Sequence, residues 1–248
     1  MGHGMVYFAQ RDTPIKMGIY GTSSTLPEGS RLGMKLVMDD GRVFHLCKAG
    51  ASNLAAGKMC QGAAPVANHL NCVVAEATAV EAKKIKVTLG ATAATADQYA
   101  EGTLHVNDVD SEGYIYKVKT HLAIDASASG YFELYDPVAK ALTTSSEVTL
   151  TKNLFDGTIV VPAGGLSQVV VGVPIVDVTA SYYYWSQTEG PAAVLTQGVV
   201  VIGQKVGLGG TADGACGPVA ADVTATWGWV MRVNASTDYS LIFLTISP

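Results

Sequence analysis

Five residues of metal-ligand type crowd one stretch of the chain: His45, Cys47, Cys60, His69 and Cys72, arranged as one His-x-Cys pair and one His-x-x-Cys pair. Imidazole and thiolate are the donors of structural zinc sites, but those sites usually join two tight pairs through a regular loop. Here Cys60 stands alone, and on a strand His45 and Cys47 would point to the same face. The spacing therefore favours loop histidines and partly buried thiols that behave as small hydrophobes. Together with Cys216 the cysteines number 4, too sparse for a disulfide framework in 248 residues, so reduced thiols are expected.

A second cluster, Asp108, Asp110, Glu112 and Gly113 in the run DVDSEG, copies the first half of a calcium loop, with carboxylates at alternating positions and a glycine for the sharp turn. The second half fails, because Lys119 stands where a bidentate Glu belongs and residues 114–119 alternate as a strand. A cation site would have to rest on Asp108, Asp110 and Glu112; a solvated turn fits the pattern better. The glycine-rich run 207–214 (GLGGTADG) lacks the Lys-Ser/Thr pair that touches phosphates, and no helix pattern follows it, so it reads as a flexible loop. No Gly-x-Ser-x-Gly elbow or His-Glu-x-x-His run occurs, and His3, His45, His69, His105 and His121 are scattered. With no nucleophile or base in evidence, the reading is that the chain is not an enzyme and takes no cofactor.

The densest aromatic run is Tyr182, Tyr183, Tyr184 and Trp185. On a strand, Tyr182 and Tyr184 face one way and Tyr183 and Trp185 the other, so both faces must be used. Such a strand can stack sugar rings, or it can fill a core or a protein interface with its polar tips paired. The second use is favoured.

The elements that must position these residues are strands. Residues 84–89 (KIKVTL) alternate apolar Ile85, Val87 and Leu89 with wet Lys86 and Thr88. The same reading applies to 102–106, 114–124, 131–135, 147–150 and 157–161, each bounded by Gly, Asp, Asn or Pro, and after the break at 163–165 to 169–178, 182–187, 199–202, 223–233 and 239–246. Residues 32–38 and 42–47 around Asp39-Asp40-Gly41 predict a hairpin. Residues 49–82, rich in Ala, Asn and Gly, form a connector with one short helix at most. Residues 1–30 show neither helical nor strand period and read as an extended arm, which orders only against another surface. Four segments follow: arm 1–30, hairpin and connector 31–82, first β region 83–162, second β region 163–248. The fold class is all-β, with a sandwich, jelly-roll or barrel-like body of one elaborate lobe or two.

An apolar share of 48% excludes disorder for most of the chain, and charged residues at 15% with a net charge of -5 supply no basic field to hold a phosphate backbone. Nucleic acid is not expected as a partner. The longest apolar run, 169–176, is broken by Gly172 and Pro174 and is far below the roughly 18 residues of a spanning helix, so no membrane is expected either. The start lacks the pattern of a secretory signal, so synthesis in the cytoplasm is expected.

Several strings are distinctive: KIKVTLG at 84–90, Tyr99-Ala100-Glu101-Gly102, Gly113-Tyr114, His121, the run from Tyr183 to Pro191 (YYWSQTEGP), residues 199–203, and the ending YSLIFLTI at 239–246. Through them, most of the chain beyond residue 30 resembles structural proteins of tailed-bacteriophage virions, in particular capsid decoration or cement proteins. The resemblance implies a β-rich, often trimeric protein of the outer capsid surface, made in the host cytoplasm. Its partners would be the major capsid protein and further copies of itself, and it would stabilise the head by bridging neighbouring capsomers. Interface candidates are Tyr7, Phe8, Ile15 and Tyr20 in the arm and Tyr183 and Trp185 in the aromatic run. The competing reading is a tail or head-fibre protein that binds a host-surface glycan through residues 182–185.

Overall fold

The computed structural model describes residues 17–209, 211–219 and 226–248. In chain order the strands are β1 (Thr22–Ser23), β2 (Lys35–Val37), β3 (Val43–Ala49), β4 (Cys60–Gln61), β5 (Cys72–Val73), β6 (Lys84–Thr88), β7 (Thr103–Asp108), β8 (Ile115–His121), β9 (Ser129–Leu134), β10 (Glu147–Thr151), β11 (Asp156–Val160), β12 (Val170–Pro174), β13 (Tyr183–Leu195), β14 (Lys205–Leu208), β15 (Cys216–Pro218), β16 (Gly228–Arg232) and β17 (Tyr239–Thr245). One 3-10 turn, Ala67–His69, is the only helical element among the described residues. The protein is all-β, and no described helix is long and apolar enough to cross a membrane.

The chain forms two compact units, one from residues 1–63 and 154–248 and one from residues 64–153. The division differs from the expected segments: the connector at 49–82 is cut at 63, and the last strand of the expected first β region, β11, belongs with the N-terminal and C-terminal parts of the chain. The second unit is an insertion. It leaves the first unit after β4 and returns before β11, and those two strands pair antiparallel with Gln61 opposite Ile159.

In the first unit β13 pairs with β12, β12 with β4, β4 with β11, β11 with β3, and β3 again with β13, which closes a small barrel. A closed ring leaves no unpaired edge among its members. Gly172 makes the closure tight: a Cβ there would lie 2.4 Å from the carbonyl of Gln187, and its φ of +113 suits glycine. β13 is longer than the expected 182–187 because Gly190, at φ +85, bends the strand without ending it. Past that bend it continues into an open sheet in the order β13-β17-β16-β14-β15. The predicted hairpin forms between β2 and β3, with Gly41 at φ +83 in its turn.

The second unit is a sheet ordered β5-β10-β7-β8-β9-β6, and a bridge between Val74 and Val87 joins its two ends, making a second barrel. Alternation places Ile85, Val87, Leu104, Val106, Val118, Phe132 and Val148 inside it.

Four sequence readings change. Residues 199–202, expected as a strand, form none: Val199, Val201 and Ile202 are exposed, Val200 is buried, and a turn follows in which Gln204 N–H bonds Val201 O at 3.0 Å. Gly207 and Leu208, expected in a flexible loop, lie in β14 opposite Gly217 and Cys216. The connector contains the short strands β4 and β5, which show no periodicity because each has only two residues. Within the expected arm, residues 22–23 pair with Tyr184 and Tyr183 of β13, so the arm's last part lies on its own chain; residues 1–16 lie outside the described residues.

Candidate interaction surface

The metal-type residues are divided between the units. His45, Cys47 and Cys60 sit in the first and His69 and Cys72 in the second, and no group of three or more potential ligands exists among the described residues. The His45 ring stacks on Phe155 at 5.2 Å with planes 11° apart, and Nδ1 lies 3.3 Å from Thr188 Oγ1. Burial and the positive Lys35 hold its pKa down to about 4. All four cysteines are buried and free, as expected. Cys47 and Cys60 point into the first barrel beside Tyr184, whose hydroxyl donates to Thr158 Oγ1 at 2.9 Å while Thr158 donates to the carbonyl of Lys48 at 3.1 Å. Burial raises the thiol of Cys47 and pushes that of Cys60 to about 12, so neither is a nucleophile.

A second polar network, not foreseen from sequence, lies in the other barrel. His69 Nε2 donates to the carbonyl of Thr92 at 2.8 Å, which leaves Nδ1 to accept from the hydroxyl of Tyr99. His121 Nδ1 donates to Leu122 O at 2.8 Å, and its Nε2 accepts the Tyr99 amide at 3.0 Å. Burial lowers the pKa of His121. Every ring nitrogen is occupied, Phe132 closes the stack at 4.7 Å from His121, and both histidines are buried. The network fixes packing and has no open position for a substrate.

The acidic run is the turn between β7 and β8. Asp108 accepts from the Val109 amide at 2.8 Å, Asp110 accepts from Thr143 at 2.7 Å, and Ser111 donates to Ala141 O at 2.6 Å. Asp108, Asp110 and Glu112 are exposed, and the two aspartates accept separate bonds.

The aromatic run divides as its alternation requires. Tyr184 and Tyr182 pack on the barrel side with Cys47 and Val171, while Trp185 and Tyr183 pack with Leu36, Phe44 and Leu46. Trp185 is buried, and its indole donates to Met17 O at 3.0 Å. This corrects the expectation for Trp185: it is a core residue that pins the end of the arm, and it offers nothing to a partner or a sugar. Tyr183 is half-buried under the pairing with β1. Tyr20 is exposed, as an interface residue must be, and Tyr7, Phe8 and Ile15 lie outside the described residues.

The surface most suited to a protein partner is elsewhere, on the open sheet. Val230, Ile242 and Leu244 turn inward to its core, while Trp229, Met231, Leu241 and Phe243 stand on the opposite face with between 37% and 44% of their surface exposed. Trp229 and Phe243 are directly paired across β16 and β17, and Pro191 and Ala193 of β13 extend the patch beside Phe243 and Leu241. Lys205, over the ring of Trp229 at 5.4 Å, sits at its border. The sequence signal is present: in YSLIFLT, residues 241–244 are apolar at both parities, so β17 must bury one face and show another.

No protein-family model, no curated protein and no solved structure matches the chain.

Proposed function

We propose that this protein is a structural component of a tailed-bacteriophage virion that binds the outer surface of the capsid and braces neighbouring capsomers. The observation that carries the reading is the apolar outer face of β16 and β17. Trp, Phe and Met are the residues enriched at protein interfaces, and here they form one contiguous strip on a paired sheet. Contiguous apolar surface of that kind on a soluble fold marks a docking site. The occupant is the major capsid protein, in keeping with the resemblance of the sequence to decoration proteins; further copies of the chain, as a trimer, are a second contact.

The physics of bracing fits a rigid β body. A protein that binds only the assembled arrangement of a shell stabilises that arrangement by mass action. Several contacts of modest affinity on one body then reinforce each other through effective concentration, by factors on the order of a hundred or more.

The test is stoichiometry in purified particles of the phage that encodes the chain. A stained gel in which this protein rivals the major capsid protein supports the reading. Absence from the particle, or the few copies expected of a fibre, overturns it. Particles carrying Phe243→Glu are expected to lose the protein on washing, whereas the isolated variant keeps its β-sheet circular dichroism.

A further inference from the structure

The first unit contains a cleft that borders the docking face of β16 and β17 and shares Pro191 and Ala193 with its edge. Its volume is about 480 Å³, within the range of small-molecule sites. We propose that this cleft binds a neutral saccharide, with Tyr20 and Tyr239 as its aromatic walls and Gln187 as the acceptor at its base.

Gln187 carries the argument. It is 1% exposed, and its amide nitrogen is fixed by two backbone carbonyls, Glu189 O at 3.0 Å and Pro191 O at 2.9 Å. Two acceptors on one side identify that side as the NH2, so the amide cannot be turned the other way. The Oε1 atom meets no donor among the described residues, yet it is not sealed from solvent, so it faces the cleft that Gln187 lines. A buried acceptor left without a donor is costly unless water or a ligand supplies one. Asp177, with one oxygen held by the Ala56 amide at 2.9 Å, adds a second oriented acceptor. Arg42, its Nε committed to Asp40 at 2.7 Å, also lines the cleft and is the donor the proposal assigns.

These groups select the ligand class. One carboxylate and one already paired guanidinium leave no excess of positive charge, so phosphates and carboxylates gain nothing here. A pyranose offers what the cleft lacks: hydroxyls that donate to Gln187 and Asp177 and accept from Arg42, and an apolar ring face for a tyrosine. Tyr239 is set close against Gly57, where a Cβ would fall 2.6 Å from its ring, so the wall is positioned by backbone and not by chance. A second hollow of about 370 Å³ shares Ala55 and Asp177 with the first, which gives room for a further sugar ring.

The experiment is saturation-transfer NMR of the full chain with a panel of neutral hexoses, their disaccharides, sialic acid and glucose 6-phosphate. Transfer to at least one neutral sugar is expected, with a dissociation constant on the order of 1 mM, as befits so few heavy atoms. In the Tyr20→Ala/Tyr239→Ala double variant, both positions being exposed in the parent, transfer should fall at least tenfold with unchanged circular dichroism. Asp177→Asn should weaken binding severalfold. Failure of every neutral sugar to bind overturns the proposal, as does preference for the acidic sugars or undiminished transfer in the double variant. Capsid attachment is read separately, so loss of either property leaves the other standing.

Discussion

The two units treat their exposed sheet faces in opposite ways. On the first unit the exposed side of β16 and β17 carries Trp229, Met231, Leu241 and Phe243. On the second, the exposed side of β6, β8 and β9 carries Lys84, Lys86, Lys117 and Tyr131 beside Ile115, and three of its lysines are already partnered: Lys86 with Glu76 at 3.6 Å, Lys117 with Glu101, and Lys84 over the Tyr131 ring at 4.4 Å. A self-neutralised polar face has little to gain from a partner, since every pair would first have to be broken and desolvated. An apolar face gains by leaving water. One chain thus holds a sheet face suited to being covered and a lysine-rich face suited to staying wet.

The contrast can be broken at its foundations. Trp185→Ala should cost the first unit about 3–5 kcal/mol by emptying a fully packed site, and in calorimetry only the transition of that unit should move. A shift of both transitions by the same amount would show that the barrels do not melt separately. Next in size, Phe243→Glu or Trp229→Glu should weaken attachment to shells by about 2 kcal/mol or more, roughly thirtyfold, in co-sedimentation with particles stripped of the protein. Lys84→Glu on the second unit, by the same assay, should change nothing.

Acid separates the units more gently. His45 and His121 both titrate below the ordinary 6.5 when folded, so the unfolded chain takes up protons first. Stability that is fully present above pH 6.5 is lost as the pH falls, for His45 down to about 4. After discounting for solvent, the His45 contribution is on the order of 1–2 kcal/mol. Urea melts at neutral and acidic pH should show His45→Gln flattening the loss in the first unit only. His121→Gln should flatten it in the second, where protonation would set an N–H against the Tyr99 amide. The smallest effect belongs to Lys117→Ala, less than about 1 kcal/mol for an exposed pair, and salt should erase it.

What could be read in advance followed from local pattern. KIKVTL announced β6 because one face of that strand is wet and the other buried, and Asp39-Asp40-Gly41 announced its hairpin because glycine alone enters the turn cheaply. The division of Tyr182 to Trp185 between two faces was likewise dictated by the pleat. Barrel closure was not legible, because β3 and β13 lie far apart in the chain and the second closure runs through Val74, beside a strand of only two residues that shows no period. The strand expected over 182–187 runs on to Leu195, since Gly190 bends it without ending it and Pro191 still pairs with Phe243. Gln187 and Tyr239 give no joint signal either: their cleft exists only after folding, and Trp185, an interface candidate by sequence, is consumed by the core.

Because β4 departs and β11 returns as hydrogen-bonded neighbours, the whole of 64–153 is spliced into one spot on its host. Any domain whose ends lie close together could occupy that spot without rewriting the host's core. The junction is thus a natural socket. Replacing residues 64–153 by a short glycine-serine bridge should yield a free-standing host, and fitting a different guest should yield a carrier for it.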